Sequence, residues 1–243
     1  SLETRFAFVS DRLRGFVGFN VFHEEGTQAG PFLTDEGTYI SCAPFPAFAP
    51  VRNNVAAALG VPGASTCAAL NSPNPARNAT AILTRGAATV LPYSSTFTNG
   101  GKNTVYSAFA DLTFDISDRF ELSAGVRYLY EERASTYTAV QPGSQIFASL
   151  GVRGVSLLGA VDTAGQVFRV RDNFDAWLPR FNALYRVTDE VNVYATISKG
   201  RRSPVLNLSA SATAAGPVPN FTIVAEEKIW NYEGGVKATF GGF

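Results

Sequence analysis

Short and long connections alternate strictly along this chain. Tight reversals stand at residues 9–13, 117–119 and 188–190, and between them run connections of roughly 26–102, 134–174 and 200–226. Loops in compact domains have about 4–6 residues, and structureless ones beyond about 15 are uncommon. Three such connections, each separated from the next by a tight turn, therefore require a fold that tolerates length at one end only.

The segments flanking the turn at 117–119 show what is being connected. Before it, Tyr106, Ala108, Ala110, Leu112, Phe114 and Ile116 share one side of a two-residue period, opposite Asn103, Ser107, Asp111, Thr113 and Asp115. After it, Phe120, Leu122, Ala124, Val126, Tyr128 and Tyr130 repeat the apolar side. Period two marks strands. Each arm has about 12 residues, twice the usual length. At about 3.3 Å per residue such an arm spans roughly 40 Å, and a tilt of about 45° leaves just under 30 Å along the normal, the thickness of a bilayer core. In an up-and-down meander every short turn falls at one end and every long loop at the other, which is the asymmetry of outer-membrane barrels.

Seven strands are predicted, at about 2–8, 14–25, 103–116, 120–133, 175–187, 191–199 and 228–240. Aromatic residues stand near both ends of the apolar faces: Tyr106, Tyr128, Trp177 and Trp230 toward the long loops, Phe114, Phe120, Tyr185 and Phe240 toward the turns. Interfacial girdles have this arrangement. No apolar run approaches the 18 residues of a helical span, so a membrane role has to be built from strands. The fold class expected is all-β, an antiparallel up-and-down transmembrane barrel occupying 1–243. Met is absent, as is a signal peptide, and the chain reads as a piece of something longer.

Three stretches resemble the barrel of TonB-dependent outer-membrane receptors: Val105 to Tyr128, Leu178 to Pro204, and Glu226 to Phe240. The family pattern in the last two is carried by Gly200, Arg202 and Pro204, then Glu227, Lys228, Tyr232, Glu233, Gly235 and Lys237. Arg201 stands where the family usually has an aromatic residue, and Gly234 where it has a bulky apolar one. The resemblance implies a barrel of about 22 strands, by family likeness, of which this chain supplies about seven, enclosing a plug that precedes Ser1. It also implies an outer-membrane receptor that imports a scarce nutrient, such as a ferric siderophore, with energy delivered by the TonB–ExbB–ExbD complex through that preceding part. A passive porin-like channel and a soluble β-sandwich adhesin remain as alternatives.

Little else in the sequence suggests chemistry. His23 has no nucleophile or second ligand nearby in sequence, so no catalytic set, metal site or cofactor is expected. The balance of 20 basic and 20 acidic residues gives no reason to expect nucleic acid as a partner. Cys42 and Cys67 share the first long loop, and outside the cell they are expected to pair, two free thiols being the alternative. Arg52, Arg77, Arg85, Tyr93, Arg153, Arg201 and Arg202 make a candidate anion-attracting mouth, along with Phe97, Arg169 and Arg171. Asp111, Arg127, Glu131, Arg180, Arg186, Glu233 and Lys237 are expected to face a lumen, away from lipid.

Overall fold

A computed structural model describes residues 1–63, 66–70 and 78–239. The principal sheet is an open antiparallel meander of β1 (Leu2–Val9), β2 (Leu13–Asp35), β3 (Pro92–Ser117), β4 (Phe120–Val140), β5 (Phe168–Arg186), β6 (Val191–Arg202) and β9 (Glu227–Ala238), in that order. A hairpin of β7 (Val205–Thr213) and β8 (Gly216–Val224) is inserted before the last strand. The main sheet is thus the seven-stranded partial barrel expected, and it does not close on itself. Phe240 lies outside the described residues.

Both short turns after the first are held by a hydroxyl. Ser117 Oγ accepts from the N–H of Phe120 at 3.1 Å, and Thr188 Oγ1 from that of Val191 at 3.1 Å. Such side chains offer the backbone a turn in place of a ladder. Register then pairs the aromatic residues across strands. Phe120 faces Tyr185, Tyr106 faces Tyr130, and Tyr128 meets Trp177 with ring centres 4.8 Å apart. Between these girdles Leu112, Phe114, Leu122, Val126, Phe181 and Ile197 are all exposed. So continuous an apolar face has no place in water and suits hydrocarbon.

The long connections differ from expectation. β2, β3 and β4 run to 23, 26 and 21 residues, so the ladders continue well past the apolar band and the first two connections shrink to 36–91 and 141–167. The third is largely the β7–β8 hairpin, which turns at Gly216 with φ 120°, a conformation that favours glycine. Above the membrane neither face need be apolar, so these strands lack the alternation that marks the lower ones.

The first two connections fold together into a cap. It contains α1 (Glu36–Cys42), α2 (Ala49–Leu59), α3 (Thr66–Leu70), α4 (Ala79–Leu83) and α5 (Gln145–Ser149). The polar residues before α1, α4 and α5, namely Asp35, Asn78 and Ser144, each accept from a first-turn N–H, and α2 ends at Gly60 in the left-handed conformation. Ile40, Phe48, Val51, Tyr93, Ile146, Phe147 and Leu157 form the cap's core. Cys42 and Cys67 are joined within it, with Cα atoms 4.6 Å apart. Unbroken register from the band places Phe32, Tyr93, Ala139 and Phe168 on the side opposite the apolar face, so the cap leans over the polar side of the sheet.

Candidate functional site

The polar face is organised in levels, each using one residue per strand. Nearest the short turns, Arg14 on β2 pairs with Asp115 on β3 and Glu121 on β4, and Glu121 also holds Arg186 on β5. Asp111 on β3 pairs with Arg180 on β5, two strands away. Gly125 of β4 lies between them in register, and a Cβ there would strike the Asp111 carboxylate. The glycine leaves the gap across which the two charges meet. Above Asp111 in the same strand, the Phe109 ring packs edge-on to Phe16 at 6.1 Å, with Arg127 4.9 Å over Phe109 and Arg5 4.4 Å over Phe16. Toward the far edge Tyr194 donates to Glu233 at 2.8 Å, and Lys237 lies 5.2 Å from its ring.

A second arrangement lies beneath the β7–β8 hairpin. The β5–β6 ladder ends at Arg180 opposite Ser198, beside Pro179, which has no N–H to give. Beyond that point Arg201 reaches Glu131 at 3.0 Å, both side chains being almost wholly buried. Arg133 also binds Glu131, at 2.6 Å, and donates to the Pro204 carbonyl at 2.7 Å. Ser135 donates to the Leu206 carbonyl at 3.3 Å. Glu226, just after β8, meets Lys228 at 2.7 Å and Arg201 at 3.5 Å. The hydrogen bond and charge of Lys228, with lesser help from Arg201, hold the Glu226 carboxyl below the usual glutamate range, against the opposing effect of burial. The hairpin is thereby pinned at both ends over the polar face.

The mouth expected from the sequence is not assembled as a single patch. Tyr93 is a core residue of the cap, 2% exposed, with its hydroxyl 3.0 Å from Ser156 Oγ; its place on the polar side of the β2–β3 extension put it under the helices. Arg52 donates to the Ala43 carbonyl at 2.6 Å and serves the end of α1. Arg201 is taken up by Glu131. Arg85, Arg153 and Arg202 remain exposed, Arg202 lying 3.6 Å from Glu227, and Arg77 lies outside the described residues. Asp111, Arg127, Glu131, Arg180, Arg186, Glu233 and Lys237 all fall on the polar face or in the cluster above it. Arg133, Glu226, Phe16 and Phe109 are members that sequence reasoning missed. The period-two pattern puts Phe109 and Phe16 on the polar side, and aromatic residues out of place there were the available signal. His23 stands on the other face, its Nδ1 2.9 Å from Thr104 Oγ1. No group of metal-ligating side chains occurs among the described residues.

A family model described as the β-barrel of TonB-dependent receptor-like proteins matches residues 51–243. The pesticin receptor of Yersinia enterocolitica is 30% identical over 132 residues, 54% of this chain and 16% of that protein. The pesticin receptor of Yersinia pestis is 29% identical, with the same shares of the two chains. The crystal structure of the ferric yersiniabactin uptake receptor FyuA from Yersinia pestis matches with a TM-score of 0.54 at 17% identity, covering 98% of this chain and 25% of that one. That likeness is one of fold. The chain spans about a sixth of the length of the curated relatives it matches. An antiparallel partial barrel with a lipid-facing apolar band, aromatic girdles and a family match over most of its length together establish that the chain belongs to the TonB-dependent receptor β-barrel family of bacterial outer-membrane receptors.

Proposed function

We propose that the protein takes up a scarce nutrient, such as a ferric siderophore, across the outer membrane with energy delivered through the TonB–ExbB–ExbD complex. The family match over residues 51–243 carries this reading, and the named roles of the relatives point the same way, one being a ferric yersiniabactin uptake receptor. On this reading the polar face lines the lumen. Asp111, Arg127, Glu131, Arg180, Glu233 and Lys237 then bound the path or contact a plug. Arg85, Arg153 and Arg202 attract an anionic ligand from outside.

The experiment is uptake of labelled ferric siderophores by an iron-starved strain whose other receptors are deleted. Uptake that vanishes when TonB is removed or the proton gradient is dissipated supports active import. Uptake that continues under both conditions identifies a passive channel and overturns the proposal.

A further inference from the structure

One row of the sheet above the membrane lacks side chains on its polar face. Gly26 of β2 stands opposite Gly101 of β3, and Gly101 opposite Ser135 of β4. A Cβ at either glycine would meet nothing within 4 Å, so the space over them is open. Glycine within a strand marks a place where a ligand or another backbone can come close. The hairpin strand β7 passes beside this floor, fixed by the donations of Arg133 to the Pro204 carbonyl and of Ser135 to the Leu206 carbonyl. Between strand and floor is a recess of about 350 Å³ whose walls include Glu24, Asn103, Arg133, Ser135, Val205 and Leu206. A second recess of about 340 Å³ shares Ser135 and Leu206 and adds Asn99, Asn207 and Leu208. Each is of the size that holds a small molecule.

The walls disfavour an anion and suit a hydroxylated group. The charge of Arg133 is already met by Glu131 at 2.6 Å. Glu24 has no cationic partner among the described residues and accepts only from Asn103 Nδ2, at 3.2 Å. An anion entering the recess would face that carboxylate. Asn103 Oδ1 is buried and has no hydrogen-bond partner, an acceptor that calls for a donor. Asn99, Asn207 and Ser135 add neutral groups that both donate and accept, as every hydroxyl of a sugar does. Val205, Leu206 and Leu208 offer an apolar side to the C–H face of a ring, and the glycine floor lets that ring lie against the sheet.

We infer that the floor formed by Gly26 and Gly101 beside β7 is a binding site for an uncharged saccharide of one or two rings. This deepens the uptake reading by naming a chemical group that the imported solute presents, and it rests on that reading for the polar face being reached from outside the cell.

The test is calorimetric titration of the receptor as the cell makes it, purified in detergent, with methyl α-glucopyranoside, maltose, lactose and sucrose. Saturable binding of at least one of the four is expected. Gly101→Val sends its Cβ into open space, suits a strand and is expected to abolish that binding. Asn103→Leu removes an acceptor and is expected to weaken it about tenfold. Lys102→Ala, adjacent in sequence but on the other face, is expected to bind as the wild type does. Heat-modifiable mobility reports folding, and Gly26→Ala replaces Gly101→Val if that variant does not assemble. Full affinity in the folded glycine and Asn103→Leu variants, glucuronate or choline bound as tightly as the neutral sugar, or binding of none of the four sugars would each overturn the inference. Sugar binding without TonB-dependent uptake would sink the uptake reading alone. Siderophore uptake by a receptor that binds none of the four sugars would sink this inference alone.

Discussion

Glu36, the first residue of α1, reaches into the other long connection and accepts from Ser144 Oγ at 2.8 Å. The same carboxylate accepts from the N–H groups of Gln145 and Ile146, both at 3.0 Å, so a residue of one loop satisfies the open amides at the start of a helix in another. Glu36→Ala leaves these buried donors without a partner. It is expected to loosen the cap by about 2–3 kcal/mol while the membrane-spanning sheet stays assembled. Hydrogen exchange at Gln145 and Ile146 should accelerate with heat-modifiable mobility unchanged; unchanged exchange would show that the contact does not secure the cap.

Asp35, immediately before Glu36, makes the cap sensitive to acid. Burial raises its pKa, but hydrogen bonds from Thr80, the Leu91 amide and Thr38 together outweigh that and leave it lowered. A carboxyl depressed in the folded state contributes stability above its unfolded value and loses it as pH falls through its folded one. The cap is therefore expected to open on acidification, and Asp35→Asn to flatten the dependence. Cap exchange rates as a function of pH check this, and a wild-type profile identical to that of the Asn variant would refute it.

Cleavage of the Cys42–Cys67 bridge releases a sequence separation of 25 residues. Such a closure is worth roughly 3 kcal/mol in the chain-entropy model. Non-reducing peptide mapping should recover the two cysteines linked, and reduction should lower the unfolding temperature of the cap alone. Two freely alkylated thiols in protein taken from cells would dispose of this.

Arginine at Leu122 or Val126 enters hydrocarbon, at a cost of about 2–4 kcal/mol near the midplane. Ser123 lies between them in sequence but on the polar face, its Oγ 2.9 Å from Thr113 Oγ1, and arginine there is expected to cost little. The fraction of heat-modifiable barrel in each variant measures the difference. Loss at Ser123 with tolerance at Leu122 would mean a register wrong by one residue, and equal losses at both would mean that neither face is the lipid face.

Removing Arg201 uncovers a buried charge. Arg201→Ala leaves Glu131 with Arg133 alone, and breaking a buried pair from one side costs about 3–5 kcal/mol. The expected result is release of the β7–β8 hairpin, seen as faster proteolysis within 205–224. A hairpin that stays equally resistant would show that Arg133 and Ser135 suffice to hold it.

The amino-acid sequence alone determined the membrane-spanning half of the protein. Lipid demands an apolar residue at every second position, so Leu112, Leu122 and Val126 declare their face without reference to any distant residue, and Ser117 and Thr188 mark the turns. Cys42 and Cys67 could be named together because the candidates were only two. What lies above the membrane was decided by tertiary structure. Water imposes no alternation on residues 27–34 or 205–213, so their strands looked like loop, and Tyr93 looked available to a ligand until the cap was folded over it. The contact of Glu36 with Ser144 joins positions 108 residues apart, and that of Arg201 with Glu131 joins positions 70 apart. Each depends on how far a ladder runs and where it breaks. Local pattern carries no record of that, because side chains that meet only through the register of several strands leave no periodicity in any one of them.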